Sequence, residues 1–420
     1  MSKEFIIEKL LRDNIFLATG CTEPVAVALC VAKAKEVLGV QPEKIELFIS
    51  QNVIKNAMGV GIPGTGMIGL PIAISLGVVC GDSSKGLEVL SCSKEYLPIA
   101  KDWMDTHKIE IHHAKDVDKL YIECIAFAGN QSSKVIIAQT HQNFVYIQKN
   151  DDIILDTPIL NVKQESVSNN ILIDSKDIFD YATKTEISKL NWILEIVEVI
   201  SQASEEGLSG DYGLQIGKIL MSDEETSLRK RVIAKTCAAS DARMGGATTA
   251  VYSNSGSGNQ GITCTLPIYE FAKETNKSED EIIRALMLSH LISIYIKQYI
   301  GRLSALCGLI NASIGVSSGL VYLQGGNFDQ VSYAIKNMIN TTTGMICDGA
   351  KPSCSLKMSV ALNSAFDSST LAIRNIGVEP TDGISEKSLE RSIQNIGKIG
   401  RYGMDSIDDL ILEILTSKED

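Results

Sequence analysis

The chain has 420 residues, a net charge of -12, an isoelectric point near 5.1 and a mean hydropathy of +0.09. That length exceeds what one compact core usually holds, so two or more structural units are expected. The acidic balance leaves no basic face for nucleic acid, and no apolar run approaches the roughly eighteen residues of a membrane span. The start, with acids and only a short apolar stretch, does not read as a secretion signal. A cytoplasmic protein with neither nucleic-acid nor membrane partner is expected.

Taken along the chain, residues 4–11 and 23–38 read as helices, 45–49 as a strand and 67–79 as a small-residue helix. Residues 120–127, 134–139 and 143–148 are short β-rich runs between turn residues, which predicts an antiparallel meander. From residue 187 on the patterns are almost all helical: 187–203, 224–237, 279–299, 328–346, 388–396 and 405–415. Between them, residues 238–250 and 303–320 are rich in Gly, Ala and Ser, which lets helix backbones approach closely. The fold class is therefore α+β. Residues 1–170 form a mixed α/β region with antiparallel strands, and residues 171–420 an all-helical domain, with the polar stretch 164–170 as their junction.

Ten cysteines are many for a reducing compartment, where a disulfide scaffold is disfavoured. Cys30, Cys80, Cys92, Cys124, Cys237 and Cys264 sit among small or apolar residues and read as minor hydrophobes. The other four fall in more telling places. In Cys347-Asp348-Gly349-Ala350-Lys351-Pro352-Ser353-Cys354, glycine and proline predict a bend that ends one helix at Cys347 and starts another at Cys354. Unpaired N–H groups at such a bend stabilise sulfur anions. With Cys307 from a glycine-rich helix, three thiolates are available to a four-iron cluster with one open iron, which acts as a Lewis acid. Three buried core cysteines fit the spacing as well. Cys21, in Gly20-Cys21-Thr22-Glu23-Pro24, is placed at a helix N-terminus, where the partial positive charge lowers a thiol's pKa and makes it a candidate base. A small residue at a helix start is the other reading.

Two glycine loops complete the inventory. Residues 255–261 (Ser255, Gly256, Ser257, Gly258, Asn259, Gln260, Gly261) open into a helix and gather N–H groups and hydroxyls suited to a small carboxylate. Gly59, Gly61 and Gly64 also match GxGxxG, but neither loop follows a buried strand in a βαβ unit, so a dinucleotide fold is not supported. Asn52 and Lys55, ahead of that second loop, are candidates to hydrogen-bond substrate or to satisfy loop backbone. Among the histidines, His112 and His113 point to opposite faces if on a strand, His107 and His290 read as solvated or capping, and His141 sits at a turn that can line a cleft.

Taken together, the stretches around Cys21, Gly59–Gly66, Ser255–Gly261, Cys307 and Cys347–Cys354 resemble the L-cysteine desulfidase family, which is related to the α-domain of iron–sulfur L-serine dehydratases. The resemblance runs in order over residues 14–370. It implies a [4Fe-4S] cluster on Cys307, Cys347 and Cys354, no pyridoxal phosphate, Cys21 as general base, and substrate held at the loop 255–261. The implied reaction turns L-cysteine into pyruvate, ammonia and sulfide. L-Serine dehydration, a non-catalytic iron–sulfur sensor and a pyridoxal-phosphate lyase are the competing readings. A small amino acid is the expected partner, and homodimer formation is left open.

Overall fold

The computed structural model describes residues 2–159, 172–224, 226–301 and 304–418. Its first part runs α1 (Lys3–Asn14), β1 (Ile15–Thr19), α2 (Thr22–Leu38), β2 (Lys44–Ile49), α3 (Gln51–Ala57), α4 (Leu70–Val79), α5 (Ser93–Thr106), β3 (Lys108–His113), β4 (Tyr121–Ala128), β5 (Gln131–Ala138), β6 (Phe144–Lys149) and β7 (Asp152–Asp156). Along β2 every second side chain is buried, which sets one face of the strand against a core. The sheet has the order β3-β2-β4-β5-β6-β7 and is antiparallel except for the parallel β2–β3 pair. Helix α2, apolar on nearly every side, is accordingly buried nearly all round, between the sheet and α4.

The second part runs α6 (Ser175–Lys184), α7 (Ile193–Ser209), α8 (Ile216–Ser222), α9 (Leu228–Met244), β8 (Ala250–Asn254), α10 (Gly258–Glu274), α11 (Glu279–Ile300), α12 (Gly308–Leu323), α13 (Phe328–Thr342), α14 (Cys354–Ile373), α15 (Leu389–Lys398) and α16 (Asp405–Thr416). The small residues of α12 do let it approach its neighbours: a Cβ on Gly315 would lie 2.2 Å from the Ser289 carbonyl oxygen of α11. No helix among the described residues is long and apolar enough to cross a membrane.

The α+β class is as the sequence predicts, with three corrections of detail. First, the half expected to be all-helical contains one strand, β8, which pairs antiparallel with β1, Ile15 opposite Asn254 and Thr19 opposite Ala250. Five residues with a partner far away in sequence carry no local signal of pairing. Ile7, Leu11 and Ile15 join the core of the later helices, while Leu412 of α16 joins the sheet-side core. Second, Cys80 and Cys92, expected as small hydrophobes, form a disulfide between the end of α4 and the start of α5. The segment between those helices carries a 3-10 turn at Ser83–Glu88 and folds back to bring the two cysteine Cα atoms to 6.3 Å, inside bridging range. Third, His290 is fully buried and not solvated. The junction expected at 164–170 lies outside the described residues.

Candidate active site

The β1–β8 ladder builds the site. β1 ends two residues before Cys21 and β8 one residue before Ser255, but the strands are antiparallel, so the two leave opposite ends of the ladder, and the glycine–serine loop turns back along β8 to meet the α2 turn. Ser255 N–H donates to the Asn14 carbonyl at 2.9 Å, and the Thr22 hydroxyl donates to the Gly256 carbonyl at 3.4 Å. Ser255 itself has φ of +53°, a conformation that L residues adopt at a local cost and that is over-represented at functional sites.

The loop is braced from beneath by buried polar groups. Asn311 Nδ2 donates to Gln260 Oε1 at 2.7 Å and to Ser293 Oγ at 2.9 Å, and Ser255 Oγ donates to Asn254 Oδ1 at 2.9 Å. The His290 ring lies between Asn254 and Thr265, 3.1 and 3.0 Å away. Burial drives its pKa down to about 3, so it is held neutral.

Cys307 and Cys347 come together on a second small ladder. Cys307 N–H donates to Met345 O at 3.0 Å, Cys347 N–H to Ala305 O at 2.7 Å, and Leu306 bridges Ile346. α13 stops at Thr342, so Cys347 lies in extended chain; the expectation that it ends a helix is corrected by this pairing. Cys354 is the first residue of α14, as expected. Ten of the eleven sequence-predicted site residues, namely Cys21, Asn52, Lys55, Ser255, Ser257, Asn259, Gln260, Cys307, Cys347 and Cys354, line one cavity of about 110 Å³. Gly258 lies behind its wall, under the side chain of Arg243.

Four helices start at this cavity: α2 after Cys21, α10 after Ser257, α12 after Cys307 and α14 after Ser353, none with a side-chain cap. Elsewhere α1, α6, α9, α11 and α13 are capped by Ser2, Asp174, Ser227, Ser278 and Asn327, while α4, α5, α7, α8, α15 and α16 likewise lack a side-chain cap. The cavity therefore receives four positive dipole ends, an anion-attracting field. Buried cations add to it. Lys55, 3% exposed, is paired with Asp408 of α16 and so is already engaged. Lys297 has no hydrogen-bond or ion-pair partner among the described residues, and burial lowers its pKa to about 8.

Cys21 departs from expectation in its titration. Burial first, then the charge of Glu23, pushes its thiol well above the ordinary range, and the opposing pull of Arg243 does not offset them. The helix-start dipole is outweighed by a carboxylate in contact: Cys21 Sγ donates to Glu23 Oε2 at 3.1 Å. Burial tends to raise the Glu23 carboxyl, but His141 and the Cys21 thiol hold it down at about 2. The His141 Nε2 is 3.9 Å from Glu23 Oε1 and has no hydrogen-bond partner among the described residues. Asn56 Nδ2 donates to the same Oε1 at 3.0 Å. Glu23 sits inside the motif around Cys21, and two of its partners, Asn56 and His141, are distant in sequence and leave no local signal. Arg243 and Lys297, in the last turns of α9 and α11, carried no local signal at all.

The profile of the serine dehydratase alpha chain matches residues 94–413. The chain belongs to that family. Its role is of the dehydratase, or lyase, type. The chain is also similar along its whole length to proteins named only UPF0597: 46% identical over 420 residues to one from Parabacteroides distasonis, 46% over 418 residues to one from Phocaeicola vulgatus and 41% over 418 residues to one from Actinobacillus pleuropneumoniae. Alignments span 97–98% of this chain and 96–97% of those relatives. The matched stretch holds the loop 255–261 and Cys307, Cys347 and Cys354; Cys21 precedes it.

Proposed function

We propose that the protein is an iron–sulfur lyase that eliminates the β-substituent of a small amino acid, with L-cysteine converted to pyruvate, ammonia and sulfide. The observation that carries the reading is the meeting of Cys21, the loop 255–261 and three further thiols in one cavity ringed by helix starts.

Among the described residues no group of three or more His, Cys, Asp or Glu side chains converges as a site for a single metal ion. A cluster makes a different demand, because each thiolate binds a different iron and the donors stand apart. Cys307, Cys347 and Cys354 fit it in softness, in number and in facing one cavity. The backbone N–H groups of Leu309 and Lys351 favour the thiolate forms of Cys307 and Cys354 that burial opposes. A cluster bound there would supply a Lewis-acidic iron toward the β-substituent.

The chain's own residues do the rest. The loop 255–261 and the start of α10 hold the amino acid and, with the small cavity, limit its size and exclude bulk water. Cys21, in its thiolate form, removes the proton from Cα and becomes the thiol that donates to Glu23. The electron pair left on Cα becomes the Cα–Cβ double bond as Cβ–S breaks and sulfide departs with its own pair. The released aminoacrylate takes up water and yields pyruvate and ammonia. L-Serine, losing hydroxide in place of sulfide, is the second reading, favoured by the family to which the chain belongs. Anaerobically prepared protein supplied with L-cysteine or L-serine separates the two: pyruvate formed with sulfide supports the first, pyruvate from serine alone the second, and no pyruvate from either sinks both.

A further inference from the structure

Arg243 is a buried cation that the reaction as derived does not use. Its side chain is 3% exposed and lines the cavity beside the loop 255–261. No carboxylate pairs with it among the described residues. Its one side-chain partner there is Asn259, whose Oδ1 accepts from Nη1 at 3.2 Å, and its Nε is buried with no partner at all. The contrast with Lys55, a cation on the same wall whose charge is met by Asp408, is direct. A guanidinium brought out of water with most of its donor fork unmatched is costly unless an anion completes it.

The chain is shaped to keep the guanidinium where it is. A Cβ on Gly258 would stand 2.4 Å from Arg243 Nε and 2.8 Å from Cζ, so the glycine at the start of α10 is the space in which the side chain lies. From the other side, Gly61 N–H donates to the Met244 carbonyl and Gly64 N–H to the Gly246 carbonyl, both at 3.0 Å. The loop 59–66, whose GxGxxG pattern has no nucleotide to bind, thus fastens the end of α9 that carries Arg243.

We propose that Arg243 receives the α-carboxylate of the substrate through its planar fork, with the α10 N-terminus completing the cradle and Lys297 adding charge. A fork that binds two oxygens fits a carboxylate in a way that a lysine does not. Glu23, on the same cavity, is the complementary anion for the substrate ammonium, which makes the ligand class a small zwitterionic α-amino acid. The inference rests on the lyase reading for the identity of the ligand, but not for the existence of a carboxylate site.

Calorimetric binding by the anaerobically prepared protein tests it with three probes that have no β leaving group: L-alanine, propionate (no amine) and ethylamine (no carboxylate). Arg243→Gln is expected to weaken L-alanine and propionate by roughly tenfold to a hundredfold, the loss of a charged hydrogen-bond pair, and to leave ethylamine unchanged. Arg243→Lys, which keeps the charge and loses the fork, is expected to fall between, and circular dichroism checks that both variants fold. L-Alanine and propionate bound equally well by wild type and both variants would overturn the assignment, as would an equal loss of ethylamine. If the Arg243 dependence holds but L-cysteine and L-serine give no pyruvate, the carboxylate site stands and the lyase reading falls. If Arg243→Gln makes pyruvate with unchanged KM, the lyase reading stands and this assignment falls.

Discussion

Two sets of cysteines in this molecule, one fully buried and one buried or half-buried along a cavity, sit in different chemical settings. Cys30, Cys124, Cys237 and Cys264 lie in the core at 0% exposure, among aliphatic side chains. Where they hydrogen-bond, they donate to carbonyl oxygens, as Cys30 does to Val135 and Cys237 to Ser355. That setting favours a neutral thiol. Cys21, Cys307 and Cys354 stand at helix starts, and Cys347 in the extended strip beside Cys307, all on one cavity with Arg243 and Lys297. There helix starts and buried cations face the sulfurs and favour an anion, against the burial that raises Cys21, Cys307 and Cys354 and, at Cys21, against the Glu23 carboxylate to which the thiol donates. Burial alone does not tell a structural cysteine from a reactive one; the direction of the neighbouring dipoles does.

Substitutions separate the two sets of cysteines. The largest effect is expected on metal content: Cys307→Ser, Cys347→Ser and Cys354→Ser should each lose most of the roughly four irons per chain that a cubane implies, while Cys30→Ala and Cys124→Ala keep them. Iron retained in all three cavity variants would erase the distinction. Next, Cys21→Ser should lower kcat about a hundredfold with iron intact, the usual scale for a positioned base. Loss of iron in that variant would make Cys21 a ligand and send the search for a base to His141, which faces Glu23. A smaller change, roughly tenfold in KM, is expected for Asn259→Ala or Ser257→Ala, with iron content as in the parent.

A separate effect, on stability against pH, comes from His290. Its ring, ordinarily titrating near 6.5, is held neutral down to about 3. Below pH 6.5 the unfolded chain binds a proton that the folded chain refuses, so stability falls as pH falls, by up to about 1.4 kcal/mol per pH unit for this one group. Denaturant unfolding of His290→Gln between pH 6.5 and 4.5 should show a shallower pH slope than the parent, and parallel slopes would mean that the ring is not kept neutral.

How much of this was legible in the sequence follows from the range of each interaction. Helix α2 and the strands β4, β5 and β6 announce themselves through local pattern, and so do the loop 255–261 and the cysteine pair around Pro352. The cavity they share depends on β1 finding β8 and on Leu306 finding Ile346, pairings without any local trace. The same holds for Arg243, whose place is set by glycines on two separate loops, and for the Lys55–Asp408 pair, which links α3 to the far end of the chain. The elevated Cys21 thiol is a further case: the helix start was readable, and the Glu23 carboxylate folded back against the sulfur was not.

The central claim is that the cavity thiols hold the group on which elimination depends. The most direct measurement is pyruvate formation from L-cysteine followed against iron content, as iron is removed from anaerobic protein by chelation and then restored with iron and sulfide. The account predicts activity that falls with iron, returns with it, and yields one sulfide per pyruvate. Pyruvate formation that stays constant as iron is stripped away would contradict it.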